Sequence, residues 1–319
     1  MKYSLTKHHV TTVILSHNSI DTLIEVIEAV KRQTYPITEI IVVDNGSDDN
    51  TQTYLKKHFQ DLTLLLLVEN LGVGAGHNYG WQAALKNPKC EFIWSLEHDA
   101  IPADNCLAEL IQAYHSQPNP NLVGAILPTP MAEHATIARK GTFIWKKNRF
   151  IRIKKPNNHG EPCPSRSLTF NGTLFHAQIV RSVGFLKADF FLAYEDFEYA
   201  GRLKQRGLQI LAVPSATIAH DILKTYKKVH FWDYAFVLPN QNLLRAYYGT
   251  RNAIFLQKSR QPKYWLALKI LLQLPFSLIY TLLLKDQKLR RIQVRFFSIR
   301  DGLQGNLGRK TYSFLKTHN

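Results

Sequence analysis

Cysteine is scarce. Three occur in 319 residues, Cys90, Cys106 and Cys163, an odd number with no Cys-x-x-Cys spacing. A disulfide framework and a cysteine-built zinc site are excluded, and a reducing compartment is expected. Residues 1–10 lack the basic-then-apolar pattern of a secretory leader, which again points to the cytoplasm. No Gly-x-x-x-x-Gly-Lys-Ser/Thr loop is present, so a P-loop nucleotide hydrolase is excluded. Gly72, Gly74 and Gly76 miss the dinucleotide-binding spacing, because His77 stands where the third glycine belongs. There is no internal repeat and no low-complexity tract. Acidic residues run short in one region only. Between Arg245 and Asn319, 15 Lys and Arg face 2 Asp and Glu, whereas the first 244 residues carry 25 and 22. The tail therefore holds nearly all of the net charge of +16. Such asymmetry calls for an anionic partner, either nucleic acid or an acidic lipid surface.

What is present is globular. A chain that is 45% apolar and 20% charged is neither disordered nor fibrous, and its length allows one large or two modest domains. Residues 10–15, 39–44, 64–68 and 92–96 are apolar runs ending in polar residues, as strands do. Between the first two, Ile20, Leu23, Ile24, Ile27 and Val30 fall at helical spacing, with Asn18 or Ser19 as the cap. Amphipathic segments recur at 51–58, 77–85, 106–115 and 196–206, the last closed by Gly207, and a strand over 210–213 precedes Pro214. Alternation of this kind predicts an α/β fold, a mostly parallel sheet with helices on both faces. Residues 140–167 are basic, proline-rich and irregular, an excursion or a hairpin; the tail reads as a helix over 241–256, an apolar stretch over 264–284 and a basic stretch over 288–300.

Ligands of such sheets sit beyond the carboxyl ends of the strands, and those ends are rich. They read Ser16-His17-Asn18, then Asp44-Asn45-Gly46-Ser47-Asp48-Asp49, then Glu69-Asn70-Leu71-Gly72, then Glu97-His98-Asp99. The glycine-rich turn at 72–76 permits close approach of a phosphate or sugar; a tight turn without a ligand has the same composition. Glu97 and Asp99 are hard oxygen donors suited to a cation that bridges a diphosphate, and the His98 imidazole also suits manganese. An exposed acidic turn is the plainer alternative. Tyr194-Glu195-Asp196-Phe197-Glu198 sets three carboxylates among aromatics, a context that raises a carboxylate's pKa towards that of a useful base. Acids at a helix start that merely favour its dipole are the alternative there.

In their order along the chain, VTTVILSHNS, IIVVDNGSDDNT, ENLGVGAGHNYG, the acidic motif before IPADN, and YEDFEYAGRLKQRGLQILAVPSATIAH resemble glycosyltransferase family 2 over residues 10–220. The tail pieces YYGTRNAIF and RDGLQGNLGR are similar to the rhamnosyl- and galactofuranosyl-transferase branch that builds bacterial cell-surface polysaccharides. The resemblance implies the GT-A fold, a nucleotide-sugar transferase domain over 1–240 and a helical extension over 241–319. It implies that Ser16, Asn18, Asp44, Asn45, Ser47, Asn70, Gly72, Gly76 and Asn78 bind the donor, with Asp44 reading the base. It further implies that Asp99, with Glu97, His98 and His220, holds a divalent cation, Mn2+ or Mg2+, and that Asp196 is the catalytic base. Glu195, Glu198 and Tyr194 are the acceptor-side candidates. Glu97-His98 departs from the family's usual Asp-Asp or Asn-Pro.

The expected activity is inverting transfer of a sugar from a UDP- or dTDP-sugar to a hydroxyl of a lipid-linked glycan. A non-catalytic sugar-nucleotide-binding scaffold subunit is the alternative. The basic tail surrounds an apolar core rather than interleaving with stacking aromatics, so no nucleic acid partner is expected. A peripheral position on the inner, anionic face of the cell membrane is expected instead. A homodimer is left open.

Overall fold

The structure, a computed structural model, describes residues 7–130, 142–146, 149–152, 160–165, 167–220, 226–231, 234–239, 242–284 and 286–315. Its first half alternates as the sequence pattern requires: β1 (Val10–Ser16), α1 (Ile20–Lys31), β2 (Glu39–Asp44), α2 (Thr51–His58), β3 (Thr63–Leu66), α3 (Val73–Lys86) and β4 (Phe92–Glu97). Then follow β5 (Ile101–Pro102), α4 (Cys106–His115), β6 (Val123–Pro130), β7 (Thr142–Lys146), β8 (Arg149–Arg152), β9 (Cys163–Pro164), β10 (Thr173–His176) and α5 (Ala177–Val183). The chain continues through α6 (Glu195–Gln205), β11 (Gln209–Ala219), β12 (Tyr226–Phe231) and β13 (Tyr234–Pro239). The tail is α7 (Leu243–Arg260), α8 (Lys263–Leu284) and α9 (Lys288–Gln304).

The main sheet has the order β3-β2-β1-β4-β10-β6-β11-β5, with β9 also on β11. Strands β1 to β4 pair in parallel, as do β6 and β11, while β10 runs antiparallel to both of its neighbours. Helices cover both faces, so each strand is apolar on both sides. On one face Ile14, Val42 and Trp94 pack with Leu23 and Ile27 of α1 and Leu110 of α4. On the other, Val13, Val43 and Ile93 pack with Trp81 of α3, Val180 of α5 and Leu203 of α6. The two-residue strand period produces this division. A second sheet, β12-β13-β7-β8, joins two hairpins. One of them is the hairpin expected within 140–167, most of whose connecting residues lie outside those described.

Two differences from the sequence pattern matter for function. First, β11 does not stop at Pro214 but continues to Ala219, because a register shift between Val213 and Thr217 lets the strand step past the proline. Second, the tail helices are not an appendage. Leu243, Tyr247 and Tyr248 of α7, Val294 of α9, Phe314 and Leu315 form a buried cluster against Phe191 and Leu192 of the preceding domain. At the centre of that packing Asp301 is fully buried. It accepts hydrogen bonds from the hydroxyls of Tyr247 and Tyr312 and pairs with Arg300 at 2.9 Å.

The α7–α9 packing is tight at Gly302, where a Cβ would lie 2.6 Å from the Arg251 carbonyl oxygen. Gly302→Ala is therefore expected to force the two helices apart and cost about 1–3 kcal/mol, read as a lowered urea midpoint with an unchanged far-ultraviolet spectrum.

Candidate active site

Three strand ends are knotted together by one asparagine. Asn45, buried after β2, donates its backbone N–H to the Ser16 carbonyl at 2.8 Å. Its side-chain amide donates to Gly72 O at 3.1 Å and Asn70 Oδ1 at 3.3 Å, and its Oδ1 accepts from Leu71 N at 3.0 Å. Asn70 Oδ1 in turn accepts from Gly72 N at 2.8 Å. Asp44 is fully buried and receives Ser47 N at 3.0 Å and Gln52 Nε2 at 2.7 Å, as well as the Ser47 hydroxyl. Asn18 exchanges two hydrogen bonds with Asp48 and donates its N–H to Ser47 Oγ at 2.9 Å. The Ser16 hydroxyl is buried without a partner. Gly72 is required by sterics: its φ is +89°, and a Cβ there would stand 2.2 Å from the Phe191 carbonyl oxygen. Gly76 lies against Leu15 and Asn45. Asn78 is used differently, exchanging two hydrogen bonds with the backbone of Leu186 at 2.8 and 2.9 Å, which fixes the segment leading to α6.

The acidic edge is assembled by strand pairing. A tight turn after β4 leads into β5, which pairs antiparallel with the end of β11 through Ile101↔Ala219. That register brings Asp99, just before β5, to His220, just after β11, with Nε2 3.5 Å from Oδ2. Asn171 Nδ2 lies 3.3 Å from the same Nε2. Asp99 Oδ1, Asn171 Oδ1 and His17 Nδ1 are buried with no hydrogen-bond partner. An oxygen–imidazole pair with an unused buried carboxylate oxygen fits a divalent cation whose remaining ligands come from phosphates. Among the described residues no three His, Cys, Asp or Glu side chains converge as a closed metal set, so Asp99 and His220 are the pair that would hold it. Burial pulls Asp99 up, but hydrogen bonding and charge from His220 outweigh it and hold the carboxyl below its ordinary pKa. Burial holds His98 below the usual imidazole range, against the pull of Asp99.

Glu97 links this edge to α6. Burial first, then the nearby Asp99, pushes it up to about 7, and it also feels Asp196 and the opposing charges of His220 and Arg245. Asp196, in the first turn of α6, is raised by burial to about 6, against the lowering effects of the Phe197 N–H and Arg245. Glu195, buried and with an unpartnered Oε2, is pushed to about 8 by burial and by Asp196. At neutral pH Glu195 thus carries a proton while Asp196 is largely ionised, two neighbours set apart by environment. Tyr194 stacks its ring near that of the exposed Phe197 at 5.1 Å. Glu198 is committed to Arg202 by an i,i+4 ion pair at 2.9 Å.

Three side chains that pattern reasoning passed over belong to this region, with a fourth, Phe197, that it gave only as part of an apolar setting. Arg245 of α7 supplies the positive charge felt by Glu97, Glu195 and Asp196. Arg309 reaches Glu69 at 2.8 Å and the Asn70 carbonyl at 3.3 Å. Asn171 meets His220 from the turn before β10, and Phe197 presents a half-exposed ring beside Asp196. The basic tail was the one signal for Arg245, and Arg309 was marked only as the end of RDGLQGNLGR. The tail showed charge, not address.

Residues 11–175 match the family described as glycosyl transferase family 2. The galactofuranosyltransferase GlfT1 of Mycolicibacterium smegmatis is 24% identical over 213 residues, 66% of this chain and 70% of that protein. The poly-β-1,6-N-acetyl-D-glucosamine synthase of Staphylococcus aureus is 26% identical over 65% of this chain and 48% of that protein, so the chain spans about half of it. Among solved structures, GalNAc-T7 with UDP, GalNAc and Mn2+ superposes with a TM-score of 0.51 at 15% identity, over 68% of this chain and 44% of that one. The Pyrobaculum calidifontis mannosyltransferase PcManGT, in complex with GDP-Man and Mn2+, gives 0.50 at 16% identity, over 82% and 69%.

Asn45→Ala would leave the part-buried Leu71 N–H without its acceptor and the Gly72 carbonyl with only the Gly76 N–H. The expected cost is about 1–3 kcal/mol of stability, with UDP affinity falling alongside it; calorimetric titration with UDP and a thermal melt check both.

Proposed function

The chain belongs to glycosyl transferase family 2 and has the GT-A fold, and from that membership we propose that it transfers a sugar from a nucleoside diphosphate donor to a hydroxyl of a cell-surface polysaccharide precursor, with inversion. The observation that carries the reading is Glu97, whose carboxyl is raised by Asp99 and Asp196 and lowered by His220 and Arg245. The Asp99–His220 pair and the carboxylate of Asp196 are therefore neighbours of one residue.

In this reading the loops held by Asn45 and Asp44 seat the nucleotide. The acceptor hydroxyl attacks the anomeric carbon as the bond to the diphosphate oxygen breaks, and Asp196 takes the hydroxyl proton. A single displacement inverts the anomeric centre and needs no enzyme nucleophile. A divalent cation, Mn2+ or Mg2+, would neutralise charge on the departing diphosphate, and Asp99 with His220 would hold it. The likeness to GlfT1 and to the rhamnosyl-transferase branch favours a UDP- or dTDP-sugar and an acceptor carried on a lipid diphosphate.

The tail supports a surface position for that acceptor. Tyr264, Trp265, Leu268, Leu271, Leu272, Ile279 and Leu282 of α8 are exposed, and so are Leu289 and Phe296 of α9. No described helix is long and apolar enough to cross a membrane, so α8 would lie on a cytoplasmic, anionic leaflet, with aromatics at the interface and basic residues at the headgroups, each worth roughly 1 kcal/mol there.

Asp196→Asn should reduce turnover at least about 100-fold while UDP affinity stays within about threefold, in a screen of UDP- and dTDP-sugars with and without Mn2+. A parallel fall in UDP affinity would instead place Asp196 in the donor site. Because the base must be ionised, wild-type kcat/KM should fall as pH drops through about 6, well above the range of an ordinary aspartate. An acid limb near 4 would remove the base assignment.

For the membrane, the full chain should float with phosphatidylglycerol vesicles, less so in high salt. The double variant Leu271→Glu, Leu272→Glu should not float. Equal flotation of both proteins, or of neither, would sink the surface assignment.

A further inference from the structure

Residues 189–194 connect a short 3-10 turn to α6, and their backbone is unfavourable on its own terms. Phe191, Ala193 and Tyr194 have φ of 61°, 66° and 72°, in the region where a Cβ is disfavoured. The loop nonetheless presses on the donor turn: the Phe191 carbonyl accepts from Val73 N at 2.8 Å and fills the space beside Gly72. It then runs directly into Glu195 and Asp196.

Two side chains of α7, both fully buried, meet this loop from behind. Arg251 donates to the carbonyls of Phe190 at 2.9 Å, Asp189 at 3.2 Å and Gly308 at 2.6 Å. Asn252 donates to those of Ala193 at 2.8 Å, Phe190 at 3.0 Å and Leu192 at 3.1 Å. Arg251 Nε also donates to Asn252 Oδ1 at 2.9 Å. That bond settles the amide orientation, since only the oxygen can accept, and it turns the Asn252 NH2 towards the loop. The Arg251 guanidinium lies over the Tyr248 ring at 4.7 Å, a cation–π contact that helps a charge removed from water. Strained backbone persists where its surroundings over-determine it. Here most of the surrounding donors belong to one Arg-Asn dipeptide, with Val73 N on the Phe191 carbonyl and Gly308 N on that of Asp189.

We infer that Arg251 and Asn252 are positioning residues for the reaction: by clamping the carbonyls of residues 189, 190, 192 and 193 they impose the positive-φ path that delivers Asp196 to the donor turn. The inference rests on the reading of Asp196 as the base. It makes the tail a working part of the catalytic site. A misplacement of about 1 Å is enough to cost a reaction about 100-fold.

The test uses the full chain, UDP titration, release of UDP from the UDP- or dTDP-sugar that turns over best, and hydrogen exchange of the 186–198 segment. Asn252→Ala should lower kcat about 100-fold, leave UDP affinity within about threefold and speed exchange in that segment. Adding Ala193→Gly should recover about tenfold in kcat and part of the protection, because glycine holds a positive φ without help. Ala193→Val, with the clamp intact, should reproduce the loss, since a β-branched residue resists that φ. A purely structural clamp would lower the melting point of Asn252→Ala without any rescue by Ala193→Gly, and that result overturns the inference. So does wild-type kcat in Asn252→Ala or in Ala193→Val. Should Asn252→Ala fail to fold, Ala193→Val and its exchange decide alone. Asp196→Asn separates the two claims: activity surviving there removes the base assignment, whereas an inactive Asp196→Asn beside an active Asn252→Ala removes only the clamp.

Discussion

Five backbone carbonyls, those of residues 189, 190, 192, 193 and 308, face the N–H groups of Arg251 and Asn252, and the working edge of the molecule depends on that contact. A guanidinium removed from water needs acceptors, and a loop at positive φ needs donors. Each group answers the other's cost. The same loop touches Gly72 on its far side, so one set of hydrogen bonds links the glycine turn, the start of α6 and the tail helices. Asp301 anchors the arrangement from behind, where Tyr247, Tyr312 and Arg300 satisfy its buried carboxylate.

Electrostatics along this edge are graded rather than uniform. Burial raises Glu97, Asp196 and Glu195, yet Asp99 is held down by His220. Four carboxylates in one region cannot all be ionised without large repulsion. The chain resolves this by keeping a proton on the most buried of the α6 pair and an imidazole beside the outermost aspartate. Arg245 adds the compensating positive charge from α7.

Much of this was legible in the residues. Apolar runs of strand length, each closed by polar residues, marked the four strand ends that do converge, and the two-sided burial of the sheet follows from their continuous apolarity. The acidic piece at 97–99 was legible as the end of the fourth strand, while 195–196 was tied to it only by the family resemblance. What periodicity misses is backbone detail and long-range pairing. Pro214 looked like a strand end, but a bulge carries β11 onward to His220. Asn78 looked like a ligand contact in a glycine-rich turn, but a segment more than a hundred residues away claims its amide. Arg245 was visible only as charge, and Arg251 and Arg309 only as members of YYGTRNAIF and RDGLQGNLGR, because nothing in a local pattern says which carbonyl or carboxylate a tail arginine will meet.

The contact between Arg309 and Glu69 spans 240 residues of sequence, and Gly308 N donates to the Asp189 carbonyl beside the strained loop. Chains begin to fold from the N-terminal side during synthesis, at about 5–20 residues per second. The sheet, the glycine turn and the acidic edge can therefore all be in place while the residues that brace them have still to be made. The brace at residues 308–309 is thus the last part of this edge that synthesis supplies.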